Sequence, residues 1–198
     1  MRIMRAMPKL FDNSAHRRNR QRAAANFGNF AFLKDEAAMR LADRVKLMRR
    51  NFPLCLDLGA HDGRLNQHLA PLGKIGRMIE ADSASRFAAN TGSRFAVHEI
   101  ADLPYRSGCF DAIFSCLSLH WVDDLPGLIM QIRRLLKPDG LCLFSLLGGN
   151  SIHELRSVLA AADDEISSGV YPRCAPMADI RDIGMLLGRA GLALPVAD

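Results

Sequence analysis

Three carboxylates follow short apolar runs at regular intervals: Asp57 within Leu54 to Leu58, Asp82 just past Lys74 to Glu80, and Glu99 just past Arg94 to His98. After the first run, Gly59 and Gly63 bracket a turn that also holds Ala60, His61 and Asp62. Glycines at such a turn let the backbone approach a ligand, and a helix starting at Asp62 would offer unpaired N–H groups. An acid past the second strand can accept both hydrogen bonds of a ribose diol, and the spacing from Gly59 to Asp82 suits that arrangement. Glu99 is placed to accept from an adenine amino group. Each residue also has a purely structural explanation: a punctuating turn, a helix cap at Asp82, a solvated loop acid at Glu99. In register at three successive strand ends, the set predicts a site for a nucleotide-containing cofactor. The turn is Gly-x-x-x-Gly, whereas a nicotinamide dehydrogenase would carry Gly-x-Gly-x-x-Gly.

His120 and Trp121 follow the apolar run Phe110 to Leu117. His120 is the one plausible general base on that side of the topology, with Trp121 as a wall; packing of the loop onto the core explains both residues equally well. The six histidines, His16, His61, His68, His98, His120 and His153, form no His-x-Asp or His-x-Glu element, so the sequence offers no chemical support for an iron centre of two histidines and a carboxylate.

Elements of a particular kind must hold these residues. Leu33, Ala37, Leu41, Val45 and Met48 recur at helical spacing between Phe30 and Arg50, and Pro53 closes that helix before the first strand. Strands are then predicted at Lys74 to Glu80, Arg94 to His98, Phe110 to Leu117 and Leu141 to Leu147, with helices at Ser83 to Asn90 and Asp123 to Leu136. Lys137-Pro138-Asp139-Gly140 reads as a type I turn, and Ser151 with Glu154 as a capping box for a helix reaching about Glu165. A linker (167–176), a helix over Ile180 to Ala190 ended by Gly191, and a last strand at Leu192 to Val196 complete the pattern. The alternation predicts an α/β fold, a Rossmann-like open and mostly parallel sheet with helices on both faces. A final strand of five residues would leave an exposed edge, so the chain reads as lacking its last strand or strands. The expected organisation is a basic arm over 1–29 and one domain over 30–198, truncated at its C-terminus.

Composition narrows the partners. Residues 1–22 hold seven Lys/Arg against Asp12 alone, a local +6, which leaves −1 of the net +5 for the remainder. The arm reads as solvated, and nucleic acid is not an expected partner, since such a domain would carry its charge on a folded face. No apolar run approaches the ~20 residues of a membrane span. Cys55, Cys109, Cys116, Cys142 and Cys174 are odd in number and form no Cys-x-x-Cys pair, which fits reduced thiols and a cytoplasmic default.

Five motifs in order carry a family resemblance: Asp57-Leu58-Gly59-Ala60-His61-Asp62-Gly63; Glu80-Ala81-Asp82; Asp102-Leu103-Pro104-Tyr105; Cys109-Phe110-Asp111-Ala112-Ile113; and Leu136-Lys137-Pro138-Asp139-Gly140. Together they resemble the class I S-adenosylmethionine-dependent methyltransferases over about Phe30 to the C-terminus. Leu117 to Pro126, Leu186 to Gly191 and the early Phe11-Asp12 with Arg17, Arg18, Arg20 and Arg22 resemble one branch, the mitochondrial complex I assembly factor 5 group and its bacterial relatives, near the malonyl-carrier-protein O-methyltransferase of biotin synthesis. The resemblance implies S-adenosylmethionine as cofactor. The methionine part would lie along Asp57, Gly59 and Gly63, the ribose hydroxyls on Asp82, and the adenine near Glu99. The expected cofactor-binding set is Asp57, Gly59, Ala60, His61, Gly63, Asp82, Glu99 and Ser115, with no metal. The acceptor would be a small carboxylate, a carrier-bound acid or a protein; the assembly branch is also associated with hydroxylation of a protein arginine. A non-catalytic cofactor-binding scaffold is the third reading. The sequence departs from the family at His61, where glycine is usual, and at Glu99, where aspartate is usual.

Overall fold

The structure, a computed structural model, describes residues 9–91, 94–167 and 169–197. It divides into two compact units, Met1–Leu146 and Leu147–Asp198.

The first unit is built on a parallel sheet of five strands in the order β3-β2-β1-β4-β5: β1 Phe52–Leu58, β2 Ile75–Asp82, β3 Arg94–Val97, β4 Phe110–Cys116 and β5 Leu136–Ser145. β1 is central because it is the most uniformly apolar run; Phe52, Cys55, Leu56 and Leu58 are fully buried. Helix α2, Phe32–Leu47, lays Ala38, Leu41 and Val45 on one face of the sheet, and the short α3, Arg64–Leu69, adds Leu65 and Leu69. Helix α4, Leu125–Leu135, buries Leu128, Ile129, Ile132 and Leu135. It starts cleanly because Asp124 accepts the Gly127 amide at 2.8 Å. These are the fold class and the element order that the sequence predicts.

Several local expectations are corrected. α3 begins at Arg64 behind Gly63 and runs for six residues, so no helix starts at Asp62. The segment after β2 is a 3-10 helix, Ser85–Asn90, since Asp82 Oδ1 spends its acceptor on the Ala84 amide at 2.9 Å and holds the chain in a tight turn. The Lys137 to Gly140 turn lies within β5: pairing with β4 starts at Phe110↔Leu136, breaks, and resumes at Ala112↔Leu141, with Asp139 in the left-handed region at φ 59°. The arm is not simply solvated either. Asn13–Ala23 forms helix α1, capped by Asp12, whose carboxylate accepts from Ala15 N at 2.9 Å.

The second unit holds α5, His153–Ser167, and α6, Ile180–Arg189. Ser151 forms no capping box. Its hydroxyl donates to Gly148 O at 2.8 Å, and Ile152 at φ 50° separates it from a helix that begins at His153, one residue later than the box requires. Asp163, packed within this unit, accepts from Arg173 Nε at 2.8 Å and from the Tyr171 amide at 3.2 Å, which orders the segment between the helices. Leu192 to Val196 is not a strand: Leu194 sits at φ 51°, Pro195 has no N–H to give, and both Leu194 and Val196 are exposed. Among the described residues no helix is long and apolar enough to cross a membrane.

Candidate functional site

The carboxyl ends of β1, β2 and β4 meet at the end of the sheet where a parallel α/β fold presents its ligands. A cavity of about 250 Å³ lies there, and Gly59, Asp82, Glu99, Ser118 and Trp121 are among its lining residues, with α1 contributing Arg20. The parallel register fixes the alignment, since Asp57 stands beside Glu80 and Leu58 beside Ala81, and the Gly59 and Ala60 amides both donate to Ala81 O. The turn after β1 is thereby tied to the last residues of β2.

Of the residues expected from sequence, Gly59, Asp82 and Glu99 line the cavity, and the others stand behind it. Asp82 is buried at the end of β2, with Oδ1 on the Ala84 amide and Oδ2 on the His61 amide at 3.1 Å and on Arg20. Glu99 is partly open and pairs with Arg17 at 3.0 Å. Ser115 locks two strands together, donating to Leu58 O at 2.7 Å from within the core. Ala60 is fully buried.

The two glycines answer to packing as much as to a ligand. Gly59 has φ 70°, and a side chain there would run into Ser118; Gly63 has φ 73°, and a Cβ would come within 2.9 Å of Glu80 Oε1. The Ser118 hydroxyl reaches Gly59 O at 3.0 Å and Cys116 O at 3.1 Å, so it clamps the ends of β1 and β4.

His61, the departure from the family pattern, turns its ring out of the cavity. The ring stacks on Phe27 at 4.9 Å, tilts against Phe87 at 5.3 Å, and takes the Lys34 ammonium on Nδ1 at 2.6 Å. Burial, then the nearby Lys34 and Arg20 charges, hold its pKa well below the ordinary value, so the ring is neutral and Nδ1 acts as the acceptor. The close approach of Nδ1 to Gly59 O then carries no hydrogen bond. Replacing His61 with glycine would relieve the left-handed backbone at φ 54° but empty the space between two phenylalanines. A net stability loss of about 1–2 kcal/mol is expected in urea denaturation, because the aromatic cavity outweighs the conformational relief. Affinity for S-adenosylhomocysteine should shift less than about threefold, a fraction of 1 kcal/mol.

Sequence reasoning missed Lys34, Arg20 and Ser118. Lys34 lies on α2 between residues of the apolar stripe and reads as a surface charge; it is 5% exposed. Its ammonium donates to Gly59 O at 2.8 Å and Cys116 O at 3.0 Å. Behind it Asp57 is wholly buried, with neither carboxylate oxygen hydrogen-bonded among the described residues. Desolvation pushes the Asp57 pKa up to about 7, against the pull of Lys34.

This donor set fits an adenosine-containing cofactor: two carboxylates at successive strand ends for a diol and an amine, a backbone turn beside them, and Trp121 as an aromatic wall. Comparison with known proteins agrees. Residues 56–144 match the family described as "Methyltransferase domain". The chain is 40% identical over 189 residues to the human protein named arginine-hydroxylase NDUFAF5, mitochondrial, covering 92% of this chain and 54% of that one. It is 31% identical over 196 residues to malonyl-[acyl-carrier protein] O-methyltransferase 1 of Coxiella burnetii, covering 97% of this chain and 66% of that one. A chain from the complex of a Haloferax volcanii methyltransferase with its activator superposes with a TM-score of 0.67 at 19% identity, over 87% of this chain and 75% of that one. The chain spans about half the length of the human relative. With the ordered motifs, the strand order and these matches together, the chain belongs to the class I S-adenosylmethionine-dependent methyltransferases.

Proposed function

We propose that the protein binds S-adenosylmethionine in the cavity at the strand ends and transfers its methyl group to a carboxylate, on a small molecule, a carrier-bound acid or a protein. The observation that carries this reading is the placement of Asp82 and Glu99 beside the Gly59 turn around one cavity. Asp82 would hold the ribose hydroxyls and Glu99 the adenine edge. Asp57, Ala60, His61, Gly63 and Ser115 would shape the turn from behind. The cofactor supplies an activated methyl on a sulfonium. What the protein adds is alignment of the acceptor and exclusion of water.

A carboxylate acceptor needs no base, and that suits His120. Its ring is half-buried, with Nδ1 buried and without a hydrogen bond among the described residues, and burial pushes its pKa down to about 4. A base that weak is poorly matched to removing a proton at neutral pH. His120→Ala is therefore expected to keep cofactor affinity and to lower turnover by less than about tenfold. A loss beyond about a hundredfold would instead make His120 the general base.

The primary test is mass analysis of the purified protein for bound S-adenosylmethionine or S-adenosylhomocysteine, followed by calorimetry with each. Binding of neither would overturn the reading and favour a scaffold. A second reading, hydroxylation of a protein arginine, draws on the 40% identity to the human relative of that name. Product mass separates the two, since methylation adds a CH₂ unit and hydroxylation one oxygen. We place the protein in the cytoplasm, and no nucleic-acid partner is proposed, because Arg17 and Arg20 of the basic arm are engaged with Glu99 and Asp82.

A further inference from the structure

Helix α1 lines the cavity with Asn13, His16 and Arg20 and is held there by polar contacts along its length and by apolar contacts at its ends, where Phe11 packs edge-on against Trp121 at 5.4 Å and Ala24 is buried with Ala84 and Phe87. None of its residues is fully buried. At its start, the Leu10 and Phe11 amides donate to Asp123 Oδ1 at 2.7 and 3.1 Å. In its middle, His16 stacks on Trp121 at 4.5 Å, and Arg17 reaches Glu99. Toward its end, Arg20 pairs with Asp82 and lies 5.6 Å over the Phe87 ring, while Gln21 bonds Ser85 Oγ at 3.1 Å and the Arg86 amide at 3.1 Å. The two arginines thus sit on the same two acids that a ribose and an adenine would use.

We propose that α1 is a strap whose Arg20 and Arg17 occupy Asp82 and Glu99 in place of a nucleoside ligand, so that the ligand enters by exchange against the helix. This rests on the reading that the cavity takes an adenosine-containing cofactor.

Three observations carry it. The first is size: at about 250 Å³ the cavity falls below the roughly 300–1,000 Å³ of ordinary ligand sites, and Asn13, His16 and Arg20 of α1 form part of its lining. The second is valence. Asp82 already accepts from two backbone amides and from Arg20, so a diol seeking both oxygens competes with the guanidinium for the remaining lone pairs. The third is the strength of the attachment. Between those end contacts no residue of Asn13–Ala23 is fully buried, which places the helix toward the low-stability end of local unfolding. Its outer pair, Arg17 with Glu99, has both side chains 40–50% exposed, and an ion pair that open to solvent holds weakly. Its inner pair is largely desolvated, at 12% and 1% exposure, so much of the attraction offsets lost hydration. Arg20 Nε, buried and with no acceptor among the described residues, adds to that cost. Displacement by a ligand is thus within reach of ordinary binding energies.

The test uses the full chain, S-adenosylhomocysteine as probe, and Arg20→Met, which keeps the aliphatic stem over Phe87 and removes the charge. Hydrogen exchange of the α1 amides without ligand should speed up in this variant, and affinity should rise by roughly three- to tenfold. In the unsubstituted protein, affinity should rise modestly as salt is raised from about 50 to about 500 mM, because the exposed Arg17–Glu99 pair is screened while the buried Arg20–Asp82 pair is little affected. The exposed Arg17→Gln variant should change both readouts in the same direction by a smaller amount, and it covers a failure of Arg20→Met to fold. Unchanged α1 exchange in both variants, or weaker binding in both, overturns the strap. If neither the unsubstituted protein nor the variants bind the probe while α1 is released, the cofactor reading fails, and with it the exchange step, while the clasp on the two acids stands.

Discussion

Replacing Asp82 with asparagine is expected to weaken S-adenosylmethionine binding by at least about tenfold, because hydrogen bonds to a charged acceptor contribute about 1.5–3 kcal/mol each. The carboxylate offers acceptors on both oxygens, and Ala84 N and the pair of His61 N and Arg20 divide them. An amide can present oxygen on one side only. If that oxygen faces Ala84, the NH₂ group confronts the His61 amide and a guanidinium, donor against donor. The ribose diol then meets a donor where it needs an acceptor. Two effects oppose each other in this variant. Loss of the diol contacts accounts for about a hundredfold, and release of Arg20 returns roughly three- to tenfold, so the loss dominates. Stability should fall by about 1–3 kcal/mol, the cost of leaving buried donors without acceptors. Calorimetry and urea denaturation read the two quantities independently. Asp82→Asn binding as tightly as the unsubstituted protein would remove Asp82 from the cofactor site.

The fold was legible in the sequence because its signals are local and repeated. The apolar run of β1, the glycines after it and the helical spacing of Leu128, Ile129, Ile132 and Leu135 each name an element, and their alternation names the class. Strand ends are legible too, since acids at the ends of apolar runs stand out, and Asp82 and Glu99 both line the cavity there. What the residue types did not disclose are partners distant in sequence. Lys34 meets Gly59 O and Cys116 O across 25 and 82 positions, and Arg20 meets Asp82 across 62. A charged residue inside an amphipathic helix carries no local mark that distinguishes solvent from a buried cluster. The arm reads as solvated for the same reason: its positive charge is visible in the sequence, while Asp82 and Glu99, which receive it, lie far along the chain. The glycines were located correctly, but the atoms that exclude a side chain there belong to Ser118 and Glu80. At Leu192 to Val196 composition alone proposed a strand, yet pairing needs a neighbour and a compatible backbone, and Leu194 has neither the φ nor a partner strand among the described residues.

Lys34→Met is expected to be the most destabilising single substitution in the site, at about 3–5 kcal/mol, the usual cost of removing one member of a buried charge pair. Methionine fills a similar volume, so the effect is electrostatic. The single Ser118 O–H lies within reach of both Gly59 O and Cys116 O, so one of those carbonyls at a time keeps a partner. Asp57 does not: it has no hydrogen-bond donor among the described residues, and Lys34 is the cation that lowers its pKa. The pH dependence follows from that pKa. Burial raises it from the model-compound value of 3.8 to about 7 in the folded protein. Its contribution to stability is therefore fully present below the unfolded value and is lost as pH rises through about 7. Without Lys34 the folded value moves higher still, so the loss continues to a higher pH than in the unsubstituted protein. The deficit of Lys34→Met should consequently widen between about pH 6 and about pH 8. Adding Asp57→Asn removes the charge that Lys34 balances, and the double variant should be more stable than the sum of the two single losses predicts. Additivity of the two within about 0.5 kcal/mol, or a deficit that does not change with pH, would mean that Lys34 acts through packing alone.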